Sequence, residues 1–248
     1  MTIQTCLLKS SMQNWISQRS YQEFDVVTGA QMLALDRLAE AKGMMLFQMM
    51  ENAGRSLATL AEALFNPTKV VVLAGTGGNG GGGLVAARHL ANMGHEVEIV
   101  TSRSQEEYVR VPAIQLNLAI QSGARLVPNP GSDYSLVIDA LTGYSLSGEP
   151  RGLVKDIILW ANSYPVPTLA LDIPSGIPAD EKTETLNHIQ ATATMTVAAI
   201  KRSLLLNSVG ELYLADIGIP RSHYETLGLA TAAPKDLIAK ILLEEAKE

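Results

Sequence analysis

The sequence predicts an α/β fold with a mostly parallel sheet and helices on both faces. From Lys69 onward, short runs of branched apolar residues alternate with longer amphipathic stretches, which is the pattern of consecutive strand–helix–strand units. The clearest unit is the apolar run 70–74, which is followed by a glycine-rich segment and a Leu/Ala-rich stretch from Leu84. Because ligands bind at the carboxyl ends of strands in such sheets, the segments that follow strands are the first candidates for a functional site.

Amino-acid composition and net charge exclude several classes of protein. The chain has 248 residues, of which 47% are hydrophobic and 18% charged, as in ordinary globular enzymes. A net charge of −6 without a basic cluster argues against a nucleic-acid-binding protein, and no apolar run is long enough to span a membrane. Cys6 is the only cysteine, so an internal disulfide is excluded and a cytoplasmic location is expected. We expect an N-terminal arm, residues 1–24, and a single domain, residues 25–248.

Two helices are predicted before the alternating region. Thr28 followed by Gln31 is a capping box, and the helix that starts there ends at Gly43. A second helix is predicted from Leu46 to Phe65, where an Asn-Pro pair stops it.

The remaining elements follow in alternating order. The predicted strands are 69–74, 96–101, 124–127, 134–139, 167–172, 192–198 and 211–215. The predicted helices are 84–93, 105–121 and 153–162. Helical crossovers between consecutive strands favour parallel pairing.

Glycine dominates residues 75–83, which read Gly-Thr-Gly-Gly-Asn-Gly-Gly-Gly-Gly. Glycine loses more backbone entropy on folding than any other residue, so such a segment persists where something approaches the backbone closely. At the start of a helix, free N–H groups and the positive end of the dipole favour a phosphate. A P-loop is excluded because no lysine follows the glycines. The G-x-G-x-x-G match, with Arg103 suited to a 2′-phosphate, leaves an NADP-dependent dehydrogenase as an alternative.

Two aspartates end predicted strands. Asp139 follows the apolar run 136–138, and Asp172 precedes a Pro-Ser-Gly turn that offers the Ser175 hydroxyl. A carboxylate at the end of a buried strand is costly unless it is paired, hydrogen-bonded or bound to a cation. With the amide of Asn79, these side chains would form an all-oxygen cluster, which suits alkali or alkaline-earth cations. The alternative is that these residues only cap turns.

Several motifs extend this pattern along residues 26–220. They are Gln31-Met32, Asp36, Met50-Glu51-Asn52-Ala53-Gly54, the glycine-rich segment with residues 84–90, Asp139-Ala140-Leu141, Gly143, Asp172-Ile173-Pro174-Ser175-Gly176, Thr194, Lys201 and Asp216-Ile217-Gly218-Ile219-Pro220. In this order they resemble the NAD(P)H-hydrate epimerases, the family of the YjeF-type N-terminal domain.

The resemblance implies a three-layer α/β/α Rossmann-like domain, often dimeric. It also implies an isomerase that interconverts the R and S epimers of NADHX and NADPHX, the hydrated forms of the reduced nicotinamide cofactors. A separate ATP- or ADP-dependent dehydratase then repairs the S epimer. The implied partners are therefore the hydrated cofactors, that dehydratase and a second copy of the chain.

The resemblance also implies residue roles. Asn79, Asp139 and Ser175 would bind a potassium ion. For such an epimerisation either Asp139 or Asp172 could move the proton, and we expect Asp139 to be the central catalytic group. The substrate-binding residues would be Gly78, Asn79, Gly80, Gly81, Gly82, Gly143, Tyr144, Ser145, Leu146, Ser147, Gly148, Glu149 and Asp172.

The glycine-rich segment departs from the family pattern Gly-x-Gly-Asn-Asn-Gly-Gly-Asp-Gly at two positions. Gly78 stands in place of the first asparagine and Gly82 in place of the aspartate. A general acid or base contributes about 10²–10⁴-fold to a rate, so the loss of a catalytic carboxylate would be large. A catalytically impaired relative that serves as a nucleotide-binding or scaffold domain is therefore the alternative function.

Overall fold

A computed structural model describes residues 15–146, 148–182 and 187–243. Within these residues, nine strands form one sheet in the order β1-β9-β8-β7-β6-β5-β2-β3-β4. The strands are β1 (Ser17–Ser20), β2 (Lys69–Ala74), β3 (Glu96–Thr101), β4 (Arg125–Leu126), β5 (Leu136–Ala140), β6 (Thr168–Leu171), β7 (Ala193–Val197), β8 (Glu211–Ala215) and β9 (Ile238–Leu242). Neighbouring strands are parallel except β8 and β9, which confirms a mostly parallel sheet.

Helices connect and cover the strands. They are α1 (Gly29–Ala41), α2 (Leu46–Phe65), α3 (Gly78–Asn92), α4 (Arg110–Gln121), α5 (Gly152–Ser163) and α6 (Arg221–Thr226). Short 3-10 turns occupy Tyr21–Glu23, Gln105–Glu107, Arg202–Leu205 and Ala230–Ala232. In the described segments, no helix has both the length and the apolar character needed to cross a bilayer.

The alternation of side chains along β2 separates two cores. Val70 and Val72 belong to the apolar cluster that includes Leu57 of α2 and Leu84 of α3. Val71 and its neighbour Leu73 belong instead to the cluster that contains Ile158 of α5. Successive side chains of a strand point to opposite faces, so the sheet is covered by helices on both sides, as the predicted α/β/α layers require.

Most predicted elements are confirmed, several to the residue. Strands β2, β3 and β8 and helix α2 have the predicted bounds, and the Thr28 side chain caps α1 together with Gln31. Strands β1 and β9 and helix α6 are not predicted from the sequence. Strand β1 reads Ser-Gln-Arg-Ser and has no apolar alternation, because it is an edge strand that, among the described residues, pairs with β9 alone.

The start of α3 differs most from the prediction. The helix begins at Gly78 rather than near Leu84, so most of the glycines are helical. Glycine is unfavourable in a helix by roughly 1 kcal/mol relative to alanine, and this propensity favoured a loop. Tertiary packing outweighs it, because the helix lies too close to its neighbours to carry side chains at these positions.

Candidate functional site

The strand order reverses between β2 and β5, and this reversal opens a crevice at their carboxyl ends. A cavity of about 700 Å³ lies there. Its walls come from the amino end of α3, the segments after β5 and β6, the segment after β7, and helices α1 and α2. Ligand sites commonly measure roughly 300–1,000 Å³, so this cavity can hold a small-molecule ligand.

The amino end of α3 forms one wall of the cavity. Thr76, Gly77, Gly78 and Asn79 line it. Gly77 is the N-cap, and no side chain caps the helix. A Cβ built on Gly77 or Gly78 would meet nothing within 4 Å, so the space in front of them is open. Exposed N–H groups at a helix start suit an anionic group of a ligand.

The next glycines, Gly80, Gly81 and Gly82, are buried and lie behind the cavity wall. A Cβ on Gly81 would be 2.4 Å from the sulfur of Met50, and a Cβ on Gly82 would be 2.8 Å from Cδ2 of Leu171. Gly81 and Gly82 therefore let α3 approach α2 and the sheet closely, and Gly80 lets the helix start lie against the backbone of Gly75. The sequence predicts that another group approaches the backbone closely at these positions. In the structure, the groups that approach Gly81 and Gly82 are the Met50 and Leu171 side chains of the protein itself.

Asp139 and Ser175 are wholly buried and bonded to each other beneath the cavity. The Ser175 hydroxyl donates to Oδ1 of Asp139 at 2.6 Å, and the Ser175 N–H donates to Oδ2 at 2.8 Å. Thr142 links this pair to Asn79, because its N–H donates to the Ser175 hydroxyl at 2.9 Å and its carbonyl accepts from the Asn79 amide at 2.7 Å. The three predicted cation ligands thus belong to one hydrogen-bonded group.

The Asp139 carboxylate has no basic side chain within ion-pair distance among the described residues. Burial raises its pKa from 3.8 to about 6, and the hydrogen bonds from Ser175 and Leu141 only partly oppose this rise. A buried carboxylate of this kind is stabilised by a cation. The nearby donors are carboxylate, hydroxyl and amide oxygens, so the donor chemistry fits a potassium ion.

Asp172 forms a buried ion pair on the cavity wall. Lys201, which is wholly buried, pairs with Oδ1 of Asp172 and also donates to the Thr196 hydroxyl at 3.2 Å and the Val197 carbonyl at 2.5 Å. The backbone of Asp172 is left-handed, with φ of 69°. Non-glycine residues adopt this conformation at a cost, and such residues cluster at functional sites.

The segment after β5 bridges two carboxylates. The Tyr144 N–H donates to Oδ2 of Asp172 at 3.2 Å, and the Tyr144 hydroxyl donates to Oδ2 of Asp36 in α1 at 2.5 Å. A Cβ on Gly143 would lie 3.2 Å from Oδ2 of Asp172, so glycine allows the segment to pass close to that carboxylate. Gly143, Tyr144 and Asp172 all line the cavity.

The structure brings about half of the predicted substrate-binding residues to the cavity. Gly78, Asn79, Gly143, Tyr144, Ser145, Leu146 and Asp172 line it. Gly148 and Glu149 are exposed and do not line it, and Ser147 lies outside the described residues.

Lys201 and Asp36 are buried or partly buried charged residues of the wall that were not predicted as site residues. In the sequence, Lys201 was noted only as one of the family motifs. Its position directly after the apolar run 197–200 indicates that its charge is buried. Asp36 lies one helical turn from Met32 and next to Leu35, both of which are buried. A carboxylate beside the apolar stripe of a helix is therefore the signal that identifies it. Arg103 also lines the cavity, at the end of β3.

Comparison with known proteins identifies the family. Residues 46–203 match the family model described as YjeF-related protein N-terminus. An NAD(P)H-hydrate epimerase of Dehalogenimonas lykanthroporepellens is 42% identical over 217 residues, which cover 84% of this chain and 88% of the relative. A bifunctional NAD(P)H-hydrate repair enzyme Nnr of Hyperthermus butylicus is 37% identical over 206 residues, 78% of this chain but 38% of that longer protein.

A solved structure shares the fold. The crystal structure of yeast ynu0 matches with a TM-score of 0.76 and 22% identity, covering 87% of this chain and 99% of that one. The match of the family model to most of the chain and the identity to curated relatives agree with the order of the motifs. The chain belongs to the YjeF-related N-terminus family.

Proposed function

We propose that the protein is an NAD(P)H-hydrate epimerase, which interconverts the R and S epimers of NADHX and NADPHX. The observation that supports the proposal is that an anion-binding helix start and a buried ion pair line the same cavity. The amino end of α3 offers N–H groups for an anion, and the Asp172–Lys201 pair lines the same cavity. A hydrated nicotinamide dinucleotide has both a phosphate group and an altered ring that needs polar contacts.

The reaction inverts the ring carbon that bears the hydroxyl and is bonded to the ring nitrogen. One route loses the hydroxyl as water and passes through an iminium ion, and the other opens the ring to an aldehyde and recloses it. Both routes need a group that gives or takes a proton at the hydroxyl oxygen. The segment 143–146 and Asp172 are the proposed contacts to the substrate.

Potassium is the proposed cofactor, with Asn79, Asp139 and Ser175 as its ligands. Support comes from the buried Asp139 carboxylate, which has no basic partner among the described residues, and from the oxygen donors beside it. The ion would supply a fixed positive charge beneath the cavity. Asp139 does not line the cavity, so its proposed catalytic part is to hold that charge in place.

The proposed function also indicates which enzyme acts next, in which oligomeric form the protein works and in which compartment. The S epimer would be consumed by an NAD(P)H-hydrate dehydratase, and the names of bifunctional relatives agree with a second repair activity. A homodimer in the cytoplasm is the proposed form, and the single cysteine, which excludes an internal disulfide framework, is compatible with that compartment.

A coupled assay tests the proposal. Purified R epimer is supplied with an excess of dehydratase, and the reduced cofactor formed is measured by its absorbance with and without this protein. We expect a rate that rises in proportion to the amount of protein. The variant Asp172→Asn should lose this acceleration, whereas Asp156→Asn, on the exposed side of α5, should keep it. No acceleration by the wild-type protein at high concentration would contradict the assignment.

A further inference from the structure

The proton that the reaction requires must come from a group on the cavity wall. The titratable side chains that line the cavity are Asp36, Arg37, Glu40, Arg103, Tyr144, Asp172 and Lys201. Arginine does not lose its proton in proteins, and both arginines and Glu40 are exposed to solvent. The choice therefore lies among the partly and wholly buried groups.

The Asp172–Lys201 pair is fully engaged. Lys201 has three N–H donors, and these meet three acceptors: Asp172, the Thr196 hydroxyl and the Val197 carbonyl. Asp172 in turn accepts from Lys201 at Oδ1 and from the Tyr144 N–H at Oδ2. Neither group can exchange a proton with a ligand without breaking a buried ion pair, which is costly.

Asp36 has a different environment. Its Oδ2 accepts a hydrogen bond from the Tyr144 hydroxyl at 2.5 Å, and within the described part of the chain no donor reaches Oδ1. The side chain is partly buried and lines the cavity. One oxygen is therefore anchored while the other is available to a ligand.

From this geometry we infer that Asp36 is a catalytic residue, the general acid that gives its proton to the departing hydroxyl of the substrate. This inference rests on the proposed epimerase function. In the water-loss route, the Asp36 O–H proton moves to the hydroxyl oxygen, and the electron pair of the carbon–oxygen bond leaves with that oxygen as water. The lone pair of the ring nitrogen forms the carbon–nitrogen double bond. Water then adds to the other face of the ring, and the proton that it releases returns through solvent to the Asp36 carboxylate.

The surroundings of Asp36 agree with this role. Burial raises its pKa above the ordinary value, while the Tyr144 hydroxyl and the Lys201 ammonium oppose the rise and Asp172 and Glu40 add to it. Tyr224 of α6 also lies close enough to interact with the Asp36 charge. A carboxyl group that keeps its proton to a higher pH is suited to act as an acid.

Two variants test the inference. Asp36→Asn keeps the size of the side chain and an oxygen that accepts from Tyr144, but it cannot give a proton. In the coupled assay we expect kcat to fall about 10²–10⁴-fold while KM changes by less than about threefold. Asp156→Asn, the same exchange at an exposed position, should leave both constants unchanged. An unchanged kcat in a folded Asp36→Asn protein, or a change in KM alone, overturns the inference.

The variant Tyr144→Phe separates a catalytic role of Asp36 from a structural one, because a purely structural role would leave the pH dependence of kcat unchanged. Removing the hydroxyl removes a hydrogen bond that lowers the pKa of Asp36, so this pKa rises further. A general acid must be protonated, so the fall of kcat at high pH should shift to a higher pH. If kcat falls at the same pH as in wild type, or at a lower pH, the inference is overturned, even where Asp36→Asn does not fold. If wild-type protein shows no epimerisation, the proposed function itself fails.

Discussion

Ser175 holds both oxygens of the Asp139 carboxylate, with its hydroxyl on Oδ1 at 2.6 Å and its N–H on Oδ2 at 2.8 Å. Both residues are wholly buried, and they join the ends of β5 and β6 beneath the cavity. The pair fixes the turn after Asp172 relative to the segment after β5. These are the two segments that bring Asp172 and Tyr144 together, so Asp139 affects the cavity without lining it.

The burial of Asp139 makes folding stability depend on pH. Its pKa is about 6 in the folded protein and near 3.8 when exposed, so the folded state binds the proton more tightly. In potassium-free buffer, this group lowers the free energy of unfolding as pH rises from about 4 to about 6, by about 3 kcal/mol in all. Urea unfolding at several pH values measures the change.

The matched variants isolate this contribution. Asp139→Asn should remove the fall in stability between pH 4 and 6, whereas Asp156→Asn should retain it. If the Asp139→Asn protein shows the same pH profile as wild type across this window, the assignment of the raised pKa to Asp139 is wrong.

Potassium should stabilise the folded protein if it binds beside Asp139. At a concentration ten times its Kd, a bound ion adds about 1.4 kcal/mol, which corresponds to about 3–6 °C in Tm for a chain of this size. We expect this rise with potassium chloride and a smaller one with choline chloride at equal ionic strength. Ser175→Ala should lose the response, and Ser163→Ala, an exposed serine in α5, should keep it. Equal responses to both salts would argue against a specific ion.

Gly82 tests whether the missing aspartate of the family pattern limits activity. A Cβ at this position would be 2.8 Å from Cδ2 of Leu171 in a buried site. The Leu171 methyl is the end of a side chain that can turn aside, so we expect Gly82→Ala to change the free energy of unfolding little, and Gly82→Asp to lower it by about 1–3 kcal/mol because its carboxylate is buried. Neither variant should raise the epimerase rate. A Gly82→Asp protein with a much higher rate than wild type would support the catalytically impaired alternative instead.

Gly54 lies where α2 packs closely against α3. A Cβ there would lie 2.3 Å from the carbonyl oxygen of Gly82 and 2.4 Å from Cβ of Val85. Alanine gains roughly 1 kcal/mol of helix propensity over glycine, but backbone atoms cannot move aside. Gly54→Ala should thus lower the free energy of unfolding by about 1–3 kcal/mol. The neighbouring exposed variant Arg55→Ala is the control, and equal stability of the two variants would show that the helices can separate without cost.

The sequence was sufficient to predict the sheet and most of its helices, because periodicity reports which faces are buried. It failed at the start of α3, where the glycines that resemble a loop are a helix packed against Met50 and Leu171. Local propensity cannot reveal such contacts, since they depend on elements distant in sequence. Edge strand β1 was missed for a related reason, as its polar side chains carry no burial pattern.

The candidate site was predicted in part. Strand-end position identified Asp139 and Asp172, which lie where parallel strands end at the reversal of strand order. The residues that contact Asp172 were harder to predict from the sequence. Lys201 follows β7, and Asp36 belongs to a helix before the first strand of the alternating region, so only the folded chain shows that Tyr144 connects them.

Exchange between the two epimers, measured by nuclear magnetic resonance, shows directly whether the protein catalyses epimerisation. A mixture of R and S NADHX is observed with the protein alone, without dehydratase, and magnetisation transfer between the ring signals of the two epimers is recorded. We expect transfer whose rate rises with the concentration of wild-type protein and is abolished by Asp172→Asn. Transfer no faster than in buffer, at protein concentrations that visibly broaden the ligand signals, would show a binding protein that does not catalyse the reaction.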